Sequence, residues 1–155
     1  VLFRSIVSLI DEPGFLIGPD AEKAGTILHG TEAVLATTES KVPWTSLMIR
    51  KSFGVAAAAH YGPDGYVLAW PSAESGPLPL EGGVAVAFKK EIAEAKNPEA
   101  KRKELEEKMA KNQNPFPRAE AFSVHEIIDP RETRKYISLW AERIQSQLKA
   151  NLLKQ

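Results

Sequence analysis

The stretch RKSFGVAAAAHY, residues 50–61, decides the fold class that this sequence predicts. Residues 43–49 before it (PWTSLMI) are short, apolar and bounded by a proline, which is typical of a buried strand. Residues 54–59 are a glycine, a valine and four alanines, small side chains that favour a helix and let a ligand come close. Turn formers follow at residues 62–65 (GPDG). The pattern predicts a buried strand that ends at Gly54 and continues directly into a small-residue helix.

A helix that begins at Gly54 directs several unpaired amide N–H groups at one point. Such a cluster of donors stabilises negative charge that develops on an oxygen atom. The alternative interpretation is an alanine-rich helix that packs tightly on its neighbours and has no chemistry. Taken alone, this stretch favours the alternative.

Composition excludes several classes of protein. The chain of 155 residues fits one domain with its own core. Lys plus Arg and Asp plus Glu both number 20, so no basic excess points to nucleic acid or to an anionic membrane surface. The absence of cysteine excludes disulfides and cysteine-ligated metals and fits a reducing cytosol, so we expect a cytoplasmic location. No apolar run approaches the roughly 20 residues of a membrane helix.

An apolar strand is predicted near the start of the sequence, at residues 6–10 (IVSLI). The five residues before it (1–5) are too few for a signal peptide. A domain more often opens with polar residues, so we expect a fragment of a longer protein. The strand ends at the turn signature of residues 11–14, and such a strand-to-loop transition is where α/β sheets carry sites. A helix is predicted from Asp20, with a buried stripe of Ala24, Ile27, Leu28, Thr31 and Leu35.

Two features inside that first helix have structural interpretations. Gly25 and Gly30 each cost about 1 kcal/mol relative to alanine, so we expect them to permit close packing. His29 is interpreted as an oriented, hydrogen-bonded packing residue rather than a base.

The second half of the chain continues the alternation of strands and helices. A buried strand is predicted at 66–70, an irregular segment at 72–80, and a helix at 84–95 that opens after Gly82 and Gly83. The glycine pair is a weak oxyanion signal, and a plain helix start is the favoured alternative. Asn97 and Asp129 are predicted to cap two further helices, with a loop at 112–118 and a helical turn at 119–122 between them. The last helix carries Ile137, Trp140, Ile144 and Leu148 at helical spacing.

This order of elements predicts an α/β protein in which helices cover a sheet and a helical extension follows. We expect burial of Phe15, Ile27, Leu47, Ile49, Val67, Trp70 and Phe88. The chain has three histidines, His29, His60 and His125, and they do not have the spacing of a metal site. The sequence also has no nucleophile elbow and no phosphate-binding loop. An enzyme of this sequence would therefore work through backbone amides and a bound cofactor.

A series of short motifs covers almost the whole chain in a fixed order. They are VSLIDEPGF (7–15), Gly18, Glu22, Gly25, His29-Gly30, RKSFG (50–54), AWPSAE (69–74), GGV (82–84), Phe88-Lys89 and IDPRETR (128–134). Jointly they resemble the C-terminal half of the carboxyltransferase (beta) subunit of biotin-dependent acyl-CoA carboxylases, the propionyl-, acetyl- and methylcrotonyl-CoA group.

The resemblance implies a crotonase/ClpP-like superhelix of ββα units with a helical C-terminal extension. Residues 1–155 would be the carboxyltransferase C-terminal domain, with 97–155 as its extension and a homologous N-terminal half absent. In this family the N-half of one subunit and the C-half of another form the active site. The N-half holds the acyl-CoA, and the C-half receives carboxybiotin from a carrier.

The resemblance also implies the site residues. The amides of Val55 and Ala56 would form an oxyanion hole facing the biotin ureido oxygen, within a biotin-side pocket and without a metal in this half. The residues expected to line that pocket are Phe53, Gly54, Ala57, Ala58, Gly82 and Gly83. When carboxybiotin gives up CO2, charge builds on the ureido oxygen, and losing one donor there costs about 3 kcal/mol. The departing ureido nitrogen can act as the base toward the acyl α-proton.

Three positions depart from the family pattern, and the acyl group stays unassigned. Val55 replaces a common glycine and adds bulk beside its N–H, Ala58 stands at an acyl-selecting position, and Pro79 replaces another glycine.

The partners implied are the carboxyltransferase N-terminal half, the biotin carboxyl carrier, the biotin carboxylase subunit, an acyl-CoA and further copies of the chain. We expect the isolated chain to be inactive. Two alternatives stay open: a biotin-dependent acyl-CoA decarboxylase subunit, and a non-catalytic half that only forms an oligomer.

Overall fold

The sheet is built around β2 (Trp44–Phe53). The computed structural model describes residues 5–152, apart from the side chains of Glu81, Gln147, Ala150, Asn151 and Leu152, so residues 1–4 of the lead-in lie outside it. β1 (Ile6–Glu12) and β3 (Tyr66–Ala69) flank β2, and every pairing is parallel. β4 (Glu74–Gly76) pairs with the end of β2, and β5 (Glu126–Ile127) pairs with β3.

The core lies on both faces of the sheet, because β2 is buried on both. Met48 packs with Ile10 and Ala69 on one face, whereas Leu47 packs with Leu68 and Ile128 on the other. A parallel strand that is covered on both sides favours apolar residues on both faces, and residues 43–49 carry no charge. The two buried polar residues in this run, Thr45 and Ser46, donate to the backbone oxygens of Tyr66 and His60. The predicted buried strand is therefore confirmed.

Helices connect and cover the strands. They are α1 (Pro19–Lys23), α2 (Thr26–Thr38), α3 (Gly54–Ala58), α4 (Leu80–Ala87), α5 (Lys89–Ala93), α6 (Pro98–Gln113), α7 (Pro115–Glu120) and α8 (Thr133–Leu152), with a 3-10 turn (Pro130–Glu132) before α8. The predicted caps form: the Asn97 side chain accepts from the Ala100 N–H at 3.1 Å, and Asp129 accepts from the Arg131 N–H at 2.8 Å.

Several predicted boundaries were wrong. The helix from Asp20 is two helices, because Gly25 adopts a left-handed φ of 73° between α1 and α2. The helix at 84–95 begins earlier, at Leu80, and breaks at Phe88. The segment 72–80, predicted to be irregular, contains the short strand β4. The predicted loop 112–118 is largely helical, because it contains the end of α6 and most of α7. The helical turn predicted at 119–122 therefore begins earlier, as α7. The extension from residue 97 also supplies β5 to the sheet.

The buried stripe predicted on α2 was wrong. Ile27, Leu28 and Leu35 are 66%, 63% and 55% exposed, because nothing within residues 5–152 covers that face. His29 is exposed too and bonds only locally, with its Nδ1 atom 3.2 Å from the Glu32 carboxylate, so it is not a packing residue.

Burial of the other expected core residues varies. Leu47 is fully buried and Trp140 anchors α8. The half-buried members of the expected set are Phe15, Ile49, Val67, Trp70 and Phe88. β1 is the outer strand of the sheet, and its Val7 and Leu9 side chains are 41% and 57% exposed whereas Ile10 is fully buried.

Candidate active site

A cavity of about 800 Å³ opens where β1 and β2 end. In open α/β sheets, ligands bind outside the carboxyl ends of the strands. Four segments form its wall: the loop after β1, the α1–α2 turn, the β2–α3 junction, and the loop from β4 into α4. The lining residues are Pro13, Gly14, Phe15, Leu16, Ile17, Ala21, Glu22, Gly25, Thr26, Ile27, Leu28, Phe53, Gly54, Val55, Ala56, Pro77, Leu78, Pro79, Gly82, Gly83 and Val86.

The β2–α3 junction places a helix start at this cavity. Phe53 is extended and buried, Gly54 turns the chain with a φ of 65°, and α3 follows. A left-handed φ disfavours any residue with a Cβ atom, so glycine is needed here. The N–H groups of Val55 and Ala56 lie in the first turn and have no acceptor within the helix. No side chain of the described residues caps this helix start.

Six of the residues predicted for the site line this one cavity. Phe53, Gly54, Val55 and Ala56 come from the β2–α3 junction, and Gly82 and Gly83 from α4. Ala57 is buried and Ala58 is exposed, and neither is a lining residue. The junction and the glycine pair are 26 or more residues apart in sequence (82 minus 56), and the sheet brings them together.

Two of the three unusual positions also lie at the cavity. Val55 is 64% exposed on its wall, so its isopropyl group narrows the space beside its own N–H. Pro79 precedes α4 and also lines the cavity, and its φ of −65° suits proline.

The sequence did not single out the wall residues of the loop after β1. Leu16 and Ile17 are 76% and 90% exposed, and the loop is anchored by Phe15, whose ring lies against Gly30 so closely that a Cβ atom there would overlap it. The available signal was a pair of apolar residues soon after the end of a strand. Whether such residues line a cavity depends on which other segments face them.

The polar groups around the cavity are few. Of the lining side chains, only Glu22 and Thr26 are polar. Near the strand ends, Arg50 donates to both oxygens of Asp11 at 3.0 and 3.1 Å, which holds the pKa of that carboxyl below its usual range. The arrangement suits a largely neutral ring or acyl group whose oxygen meets backbone donors.

The described residues contain neither a metal-binding cluster nor a membrane-spanning helix. Residues 5–152 contain no group of three or more His, Asp or Glu side chains placed to hold a metal ion. In the same range, no helix combines the length and apolar character needed to cross a membrane.

Comparison with known proteins gives the family. The family model described as the carboxyl transferase domain matches residues 5–153. The chain belongs to the carboxyl transferase domain family. It is 35% identical over 150 residues to the carboxyltransferase subunit of propionyl-CoA carboxylase from Haloferax mediterranei, covering 94% of this chain and 29% of that protein. It is 38% identical over 137 residues to the methylmalonyl-CoA carboxyltransferase 12S subunit of Propionibacterium freudenreichii subsp. shermanii, and this match covers 86% of the chain and 26% of that protein.

Solved structures agree on the fold, which is the crotonase-like α/β fold. A transcarboxylase 12S crystal structure, described as a hexamer assembly with methylmalonyl-coenzyme A and methylmalonic acid bound, superposes with a TM-score of 0.82 at 36% identity, covering 93% of this chain and 28% of that one. The beta subunit of P. aeruginosa geranyl-CoA carboxylase shares the fold with a TM-score of 0.82 at 22% identity. The superposition covers 94% of this chain and 29% of that one. This carboxyl transferase domain thus spans a little over a quarter of the length of the curated relatives it matches.

Proposed function

We propose that this chain is the half of a carboxyltransferase that receives a carboxyl group from carboxybiotin for transfer to the α-carbon of an acyl-CoA. The observation that carries the proposal is the start of α3, where the Val55 and Ala56 residues face an 800 Å³ cavity with their first-turn N–H groups uncapped. Membership of the carboxyl transferase domain family supports the reaction class.

The size and apolar character of the cavity support a biotin ring system as its ligand. Its volume of about 800 Å³ lies within the usual range of small-molecule sites, and its walls are mostly apolar. When bound, carboxybiotin supplies the carboxyl group and a ureido nitrogen that can accept the acyl α-proton. The N–H groups of Val55 and Ala56 would donate to the ureido oxygen, and each is worth about 3 kcal/mol when preorganised. Leu16 and Ile17 would exclude water, which strengthens these bonds.

The acyl-CoA side of the active site is proposed to come from an N-terminal half. Ile27, Leu28 and Leu35 form an uncovered apolar face on α2, and two of the three also line the cavity. We propose that this face packs against that half, contributed by another copy of the protein, so that the chain alone has no transferase activity. The biotin carboxyl carrier and biotin carboxylase subunits would complete the enzyme complex. A cytoplasmic location stays a prediction.

A decarboxylase is the second candidate. The chain is 36% identical over 137 residues to the methylmalonyl-CoA decarboxylase alpha subunit of Propionigenium modestum, covering 85% of this chain and 26% of that protein. The same donors would then serve the reverse transfer, in which the carboxyl group leaves the acyl-CoA for biotin.

The test uses the complete protein that carries this chain, incubated with methylmalonyl-CoA and free biotin. We expect biotin-dependent loss of methylmalonyl-CoA. Ala56→Pro removes one donor in the first turn of α3, where no hydrogen bond within the helix is lost, so we expect kcat to fall about 100-fold or more. The matched control is Val55→Ala, which keeps both N–H groups, trims the bulk and should keep or raise kcat.

Two results would contradict the proposal. A folded wild-type protein that never consumes methylmalonyl-CoA or propionyl-CoA with biotin or carboxybiotin would support the non-catalytic alternative. Equal kcat for Ala56→Pro and Val55→Ala would remove the oxyanion hole from the mechanism. Thermal unfolding of both variants separates lost donors from strain at Val55, since a residue before proline is pushed out of the helical region.

A further inference from the structure

The backbone just after α3 is hydrogen-bonded by side chains from other elements. Five residues make too short a helix to be stable alone, and a helix end normally leaves its last carbonyl groups without partners. Here the carbonyls just after α3 accept side-chain donors. Thr37 Oγ1 donates to the Ala59 oxygen at 2.9 Å, while Trp44 Nε1 and Ser46 Oγ donate to the His60 oxygen at 2.9 and 2.7 Å.

These donors sit on well-anchored parts of the fold. Thr37 is buried in the last turn of α2, and Ser46 is buried near the start of β2. The Trp44 ring lies so close to Gly62 that a Cβ atom at that glycine would overlap it. The side chain of His60 is held as well, with Nδ1 2.9 Å from Ser8 Oγ.

We propose that Thr37, Trp44 and Ser46 are positioning residues, a carbonyl clamp that aims the first-turn amides of α3 into the cavity. The clamp holds one end of the helix while Gly54 joins the other end to β2. Without it, α3 can pivot about Gly54, and its N–H groups leave the point where they converge. This inference rests on the proposed function, in which those amides bind the reacting oxygen.

The clamp acts at a distance from the ligand. Thr37, Trp44 and Ser46 are not among the residues that line the cavity. Removing a clamp hydroxyl therefore leaves the walls and any acyl-CoA contacts intact and changes only the aim of the donors. Catalytic donors must be held to about 0.5 Å, and a displacement of about 1 Å can cost about 100-fold in rate.

The experiment compares two neighbouring threonines in the complete protein. Thr37→Val removes the clamp hydroxyl with little change of shape, and Ser46→Ala removes the other. The control is Thr38→Val, because the exposed Thr38 hydroxyl donates at 2.8 Å to Val34 within its own helix. We expect Thr37→Val and Ser46→Ala to lower kcat about tenfold or more with KM for methylmalonyl-CoA within about twofold. Thr38→Val should match the wild type, and Thr37→Ser should restore kcat.

Hydrogen–deuterium exchange gives a second readout that does not need activity. The peptide covering residues 53–61 should exchange faster in Thr37→Val and Ser46→Ala than in Thr38→Val. Unchanged exchange overturns the clamp whatever the activity. Faster exchange with wild-type kcat, in a protein whose Ala56→Pro variant is impaired, overturns the positioning role alone. If the wild type itself is inactive, the proposed function fails, and the exchange data still decide whether the clamp holds α3.

Discussion

At the scale of single residues, the contact between Gly30 and Phe15 decides how one wall of the cavity is held. Gly30 lies inside α2, where an alanine would ordinarily be more stable by about 1 kcal/mol. A Cβ atom at this position would overlap the Phe15 ring, and Phe15 is itself a lining residue. Glycine at this position therefore leaves room for the aromatic ring of Phe15, which comes from the loop after β1.

We predict that Gly30→Ala lowers the free energy of unfolding by about 1 kcal/mol, because an overpacking cost of about 1–3 kcal/mol exceeds the gain in helix propensity. In a Phe15→Ala background the same change should raise it by about 1 kcal/mol. Urea unfolding of the four proteins measures the coupling. Identical effects in both backgrounds would show that the ring does not press on the helix.

Phe122 has a backbone conformation that its residue type disfavours. It lies two residues beyond α7 with a φ of 57° and a side chain that is 90% exposed. The Ser123 and Val124 N–H groups donate back to the Arg118 oxygen. This is a left-handed helix cap, the usual place for glycine.

Phe122→Gly should therefore raise the free energy of unfolding by about 1 kcal/mol, since the left-handed region costs about 1–2 kcal/mol for a residue with a Cβ atom. Phe122→Ala is the control, because it removes the ring and keeps the Cβ atom. A gain of equal size in both variants would assign the effect to the exposed ring instead of the backbone.

At the scale of elements, Asp129 joins β5 to α8. Its carboxylate accepts from the backbone N–H of Arg131 at 2.8 Å and from the Arg131 guanidinium at 2.6 to 3.2 Å. The guanidinium first, and then the backbone N–H, lower the pKa of Asp129 to about 2. A lowered pKa in the folded state stabilises the fold above the unfolded value of about 3.9, and this stabilisation disappears as the pH falls through about 2.

We predict that Asp129→Asn destabilises the protein at neutral pH, although asparagine keeps a capping oxygen. The difference between the two proteins should shrink from about pH 4 downward and be lost as the pH falls through about 2. Thermal unfolding across this range at low and high salt measures it, and salt should reduce it because the pair is exposed. A difference that stays constant with pH would mean that the cap, not the charge, matters.

At the scale of the whole molecule, one apolar face of α2 is not covered by any of the residues 5–152. Ile27, Leu28 and Leu35 are all more than half exposed, and burying one leucine side chain is worth about 1.5–3 kcal/mol. An apolar face of this kind is typical of an interface.

Leu35→Glu should therefore reduce association, with another copy or with an N-terminal half, without lowering the temperature of unfolding of the chain. Leu35 does not line the cavity, so the substitution leaves the ligand site unchanged. The control is Ala36→Glu, at an exposed neighbouring position. Light scattering across a range of concentrations gives the oligomeric state, and equal association of both variants would exclude this face as the interface.

Local physics explains what the sequence alone determined. The buried strand before Gly54, the turn of the backbone at that glycine, and the caps at Asn97 and Asp129 follow from interactions among residues a few positions apart. Propensity, capping and a left-handed φ act within one turn or one strand, so the residues themselves reveal them. The junction that bears Val55 and Ala56 was predictable for this reason.

Tertiary structure decided the rest. β4 and β5 have only three and two residues, and each forms because β2 or β3 offers it a pairing edge. The helical spacing of Ile27 and Leu35 is equally regular whether or not a neighbour covers it, so burial could not be read from the pattern. The cavity exists because the loop after β1 and the start of α4 meet at the end of β2. Burial and pocket shape depend on segments far apart in the chain, and no local propensity encodes which of them will meet.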